Sequence, residues 1–124
     1  MCRNSHASLK IFAGPEIGVA STKAFTCQLI VLACLAIEIG RLNGSLNKDQ
    51  EKDYVKSLLS IPRLISNTLD KEDEIVKLAH DLSNITTTLY LGRGQMYPVA
   101  MEGALKLKEI SYVHAEGYLS LIHI

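Results

Sequence analysis

Ile85-Thr86-Thr87-Thr88-Leu89-Tyr90-Leu91-Gly92-Arg93-Gly94-Gln95-Met96-Tyr97-Pro98 is the stretch on which the fold turns. Its first half, Ile85 to Leu91, is rich in β-branched and aromatic residues, which predicts a strand. Gly92-Arg93-Gly94 then breaks the extended pattern. Pro98, with its fixed φ and missing N–H, suits the first position of a helix that reaches about Ser111. Strand, glycine loop and helix in that order belong to a parallel α/β sheet, where ligands gather at the strand ends. Gly92 and Gly94 make only a GxG. Tyr97 stands where the third glycine of a dinucleotide fingerprint would be, so the loop is a weak case for nucleotide binding.

Working outward, the segment before this unit reads as helical. Leu29 to Ile37 is an unbroken apolar run inside a helix that Ser21 or Thr22 caps and that stops around Asn43-Gly44. The run is shorter than the ~18 residues that span a bilayer, and Glu38 closes it. A helix apolar nearly all round is expected to be buried in a larger body. Asn47 and Gln50 read as a capping box opening a helix from Asp49 to Ser60. Pro62 restarts a short helix to about Leu69, and Asp70 caps another with an apolar stripe of Ile75, Leu78, Ala79 and Leu82. Residues 9–13 form a possible short strand ahead of the turn Gly14-Pro15-Glu16-Ile17-Gly18.

The 124 residues carry 13 basic and 13 acidic side chains, so no cationic surplus marks a nucleic-acid binder. The 48% apolar content argues against disorder, and five Tyr, two Phe and no Trp offer no evident stacking platform. The polar start from Met1 to Ser8 lacks a secretory core. Cys27 and Cys34 lie about 10 Å apart along one helix, too far for a disulfide, and read as small core hydrophobes in a reducing compartment. No metal-ligand spacing joins the cysteines to His6, His80, His114 or His123. The expectation is a cytoplasmic protein without metal or membrane. Cys2, as an N-terminal nucleophile, has no nearby His or glycine run to support it.

Two constellations could carry chemistry. Gly14 to Lys23 is a glycine-rich turn entering a helix, which offers free N–H groups to an anion or a sugar hydroxyl; a plain capped helix start fits it as well. Glu102, Lys106 and Glu109 follow i, i+4, i+7 spacing, which places them on one helical face within roughly a 60° arc. They read either as a surface salt bridge or as a carboxylate base beside a cation in a sugar pocket.

Two long segments, Pro15 to Leu29 and Gly92 to Glu116, closely resemble the isomerase part of the glucosamine-6-phosphate synthase family. The similarity extends more loosely over about Ala13 to Tyr118. The resemblance implies a sugar isomerase (SIS) type α/β fold, a parallel sheet flanked by helices. It would be incomplete here: parts of two SIS domains joined by helices, and mostly helical. Residues 1–44 would close the first domain, 45–83 would link, and 84–118 would open the second. The family makes glucosamine 6-phosphate from fructose 6-phosphate and glutamine without cofactor or metal, and the parent enzyme is expected to be a homodimer. Matched residue by residue, Glu109 is the glutamate that shuttles a proton between sugar C1 and C2. Lys106 is a polar lysine beside it, Glu102 a motif glutamate of less defined role, and Val19 and Ser21 belong to a loop that contacts the sugar.

The departures are as informative. The glutaminase domain has no counterpart, and Arg3 after Cys2 breaks the pattern around the family's catalytic cysteine. The phosphate-gripping loop, the ring-opening histidine and the Schiff-base lysine have no match, so the segment alone is expected to be inactive. An alternative is a sugar-phosphate-binding or regulatory SIS module without catalysis. The resemblance stops after Tyr118. Residues 119–124 are what the common transposon end CTGTCTCTTATACACATC encodes in frame, and they are expected to be non-native.

Overall fold

The computed structural model describes residues 4–120, so Cys2, His123 and the last four residues of the suspect tail lie outside the described residues. These fall into two compact units. One takes the residues up to Glu16 and Thr22–Asp73, and the other takes Ile17–Ser21 and the chain from Glu74 onward.

In the first unit, α1 (Lys23–Leu42) and α2 (Lys48–Leu69) form a helical hairpin. The sequence reading located the end of α1 and, in Thr22, its N-cap position, but not the group that caps it. Thr22 makes no side-chain cap bond; instead the Glu16 carboxylate accepts N–H bonds from Thr22 and Ala24. The predicted capping box is present, with Asn47 accepting from Asp49 and Gln50 while Gln50 accepts from the Asn47 N–H. Pro62 does not divide the helix; α2 runs through it to Leu69, and Asp70 closes α2 rather than opening the next helix. Residues 9–13 are not a strand. Phe12 has a positive φ of 50°, outside the β region, and the residue is 89% exposed, so neither pairing nor packing holds an extended conformation.

The buried helix expected at α1 is bare in this chain: no residue of α1 or α2 is buried, and Leu32 and Ile39 are among the exposed side chains. Small and apolar residues, including Ala33, Ile37 and Gly40 of α1 and Tyr54, Leu58 and Ile61 of α2, line an open groove of about 740 Å³. By length and composition α1 also passes for a membrane span, a test that the core helix of a soluble protein passes too.

The second unit holds the remaining elements, α3 (Glu72–Asp81, whose first two residues fall in the first unit), β1 (Thr87–Gly92), α4 (Met96–Ser111) and β2 (His114–Leu119). The strand–glycine loop–helix stretch folds as expected, with α4 starting two residues before Pro98. The strand β2 was not anticipated. It pairs parallel with β1, from Thr87 opposite His114 to Gly92 opposite Leu119, so β1–α4–β2 is one βαβ unit. Its sequence, His-Ala-Glu-Gly-Tyr-Leu, lacks the β-branched residues that betray a strand.

Close approach holds this unit together. Ala100 and Ala104 of α4 and Ala115 of β2 are the buried apolar residues among those described. A Cβ on Gly117 would lie 2.6 Å from Met101 Sδ, and one on Gly92 would overlap the Met96 carbonyl oxygen. Only glycine lets the helix backbone sit this near the strands. On the other face of the sheet Leu89 and Leu91 stay 59% and 57% exposed, although parallel sheets are ordinarily covered on both sides.

Candidate functional site

Ala100 and Ala104 fix which way α4 faces. With those positions against the strands, Glu102, Lys106 and Glu109 share another face, as their spacing requires. Lys106 Nζ lies 2.8 Å from Glu109 Oε2 and 3.3 Å from Glu102 Oε1. The side chains of Lys106, Glu102 and Glu109 keep only 22%, 24% and 30% of their exposure, so the cluster is not a freely solvated surface pair. The hydrogen bond with Glu109 is the main cause holding the Lys106 ammonium above the ordinary lysine value; pairing with Glu102 adds to it, against partial desolvation. One cation thus orients two carboxylates.

The other two candidates sit on a loop. Val19 is 88% exposed and Ser21 half-buried. Both fall in the unit that contains α4, yet among the described residues no hydrogen bond or ion pair joins them to the Glu–Lys–Glu cluster. The helix start that follows them offers a ligand fewer free amides than a bare glycine-rich turn would. Glu16 already occupies those of Thr22 and Ala24.

Sequence reasoning missed Glu16, because six and eight residues separate it from its partners, beyond any local capping pattern. It also missed a polar chain on β2. Tyr118 donates its hydroxyl to Glu116 at 2.8 Å, which is the main cause raising the Tyr118 pKa, and His114 Nε2 lies 3.5 Å from the other Glu116 oxygen. Their i, i+2, i+4 spacing puts all three on one side of the strand, a signal available only once β2 is known to be a strand. Among the described residues no group of His, Cys, Asp or Glu is arranged to hold a metal ion.

No protein-family model matches the chain. Individual relatives do. The chain is 55% identical over 118 residues to the glutamine–fructose-6-phosphate aminotransferase (isomerizing) of Brucella abortus, and 57% identical over 118 residues to that of Bradyrhizobium diazoefficiens. Each match covers 95% of this chain. The C-terminal domain of glucosamine-fructose-6-phosphate aminotransferase from Francisella tularensis superposes with a TM-score of 0.86 at 50% identity, over 88% of this chain and 31% of that one. The chain belongs to the glutamine–fructose-6-phosphate aminotransferase family. It spans about a fifth of the relatives' length, 19% in both cases, and corresponds to part of the family's isomerase half. The aminotransferase fold explains the βαβ unit and the small parallel sheet seen here, the α/β architecture expected from the sequence.

Proposed function

We propose that this segment carries the proton-transfer face of an enzyme that makes glucosamine 6-phosphate from fructose 6-phosphate and glutamine. The observation behind it is the Glu102–Lys106–Glu109 cluster, half-covered and cross-linked through one ammonium, on a helix whose sequence matches the aminotransferases. Lys106 engages Glu109 through Oε2, which leaves Oε1 to exchange a proton. In this reading the sugar is opened and its C2 carbonyl becomes an imine with ammonia from glutamine. Glu109 removes a proton from C1, the electron pair forms a C1–C2 double bond while the former C=N pair takes up a proton at nitrogen, and Glu109 then returns its proton to C2 as the O1 hydroxyl loses its own and C1 becomes the aldehyde carbon. Lys106 orients the carboxylate, Glu102 anchors Lys106, and Val19 and Ser21 touch the sugar.

Residues 1–44 would then close one SIS domain, 45–83 would connect, and 84–118 would open the next. The glutaminase part and the rest of both SIS domains come from chain outside this segment, in a cytoplasmic homodimer that needs neither cofactor nor metal. Glu109→Gln in the full-length enzyme tests the reading. A base predicts a fall in kcat of about 10²- to 10⁴-fold with little change in KM. Turnover within twofold of the parent would make the cluster a structural salt bridge. The segment alone is expected to form no glucosamine 6-phosphate, measured by product assay.

A further inference from the structure

The loop that presents Val19 and Ser21 is closed by a single side chain. Glu16 Oε1 accepts the Ala24 N–H at 2.9 Å and the Thr22 N–H at 3.3 Å, so one carboxylate oxygen ties the start of the loop to the first turn of α1. Ile17 and Val19 are 96% and 88% exposed, so the packing of these two side chains does not set the shape between the ties. Neither Ser21 nor Thr22 shares the capping duty, since Thr22 makes no side-chain cap bond and no bond from Ser21 to the helix amides is seen.

We infer that Glu16 is a positioning residue for the sugar: its bonds to the Thr22 and Ala24 amides hold Val19 and Ser21 in the shape that receives the substrate's hydroxyl-bearing carbons. This rests on the proposed function and deepens it. Glu16 touches no reacting atom, so its loss weakens binding equally in ground and transition states and falls on KM.

The test compares Glu16→Ala, Glu16→Gln and Glu109→Gln in the full-length enzyme, with kcat and KM for fructose 6-phosphate and the thermal midpoint for each. Glu16→Ala is expected to raise KM about tenfold with kcat within about twofold. Glu16→Gln keeps an acceptor oxygen at the same reach and is expected to bring KM back to within about threefold of the parent. An unchanged KM in Glu16→Ala beside a lowered midpoint makes Glu16 a stability cap and overturns the inference. So does a KM in Glu16→Gln as high as in the alanine variant. If the alanine variant does not fold, Glu16→Asp, one methylene too short to reach both amides, decides by the same KM criterion. Full turnover in Glu109→Gln sinks the proposed function itself, whereas normal loss there with an unmoved KM at Glu16 sinks this inference alone.

Discussion

The βαβ unit and the α1–α2 hairpin are built from similar proportions of apolar residues and end in opposite states. In β1–α4–β2 the three buried alanines and two glycine contacts bring backbone against backbone, and the polar groups of α4 pair with one another. The hairpin has well-made local features, a full capping box and a long regular α1, yet none of its helical residues is fully buried. Helix capping and periodicity are satisfied within a few residues of sequence. Burial needs a second surface, and the hairpin's large side chains point at one that the described residues do not supply.

That contrast can be broken by substitution. The largest effect is expected at Gly92: Gly92→Ala forces a Cβ onto the Met96 carbonyl and should cost about 3 kcal/mol, seen as a lowered unfolding midpoint. Its counterpart in the hairpin is Gly40, where a new Cβ would meet only the movable Leu46 side chain at 2.8 Å. There the gain in helix propensity offsets the repacking, and the midpoint should move by less than about 1 kcal/mol. Equal effects at the two glycines would erase the distinction.

Asn47→Ala removes the side-chain acceptor of the capping box, leaving the backbone N–H of residue 47 on Gln50, and should cost the hairpin about 1 kcal/mol, read by circular dichroism during denaturation. The ion pair of the βαβ unit should show itself through pH. Because the folded-state Lys106 pKa is raised above its ordinary 10.5, its contribution is complete below that value and disappears as pH rises through the raised one. The midpoint difference between parent and Lys106→Met should therefore stay flat from about pH 7 to 9 and shrink above about pH 10.5. The smallest effect belongs to the exposed Glu38–Arg41 pair on α1, whose side chains are about half exposed; Glu38→Gln should leave the midpoint where it was.

What could be read from the sequence follows the same division. The Asn47–Gln50 box, the end of α1, strand β1 and the shared face of Glu102, Lys106 and Glu109 all depend on residues within a turn or two of each other. What escaped depends on distance or on backbone fit. Glu16 reaches Ala24 across eight residues, and β2 is a strand because β1 lies beside it, not because His114, Glu116 and Gly117 favour one. Pro62 was read as a breaker, but α2 continues through it. The shared face of the α4 cluster was legible from spacing, whereas the reaction proposed for it came from likeness to a family.

The consecutive order of β1, α4 and β2 has a consequence for the history of the chain. A parallel pair closed by one intervening helix pays a larger loop-closure cost than the short α1–α2 turn, but its backbone-to-backbone packing holds it once formed, which the hairpin lacks. During synthesis α1 leaves the ribosome before the βαβ unit does. Amide-exchange pulses during refolding of the full-length enzyme should protect β1 before α1; the reverse order would mean that the helical hairpin finds its cover first. The nucleus and the proposed proton-transfer helix would then be the same piece of chain, made ready before the rest of the enzyme closes around it.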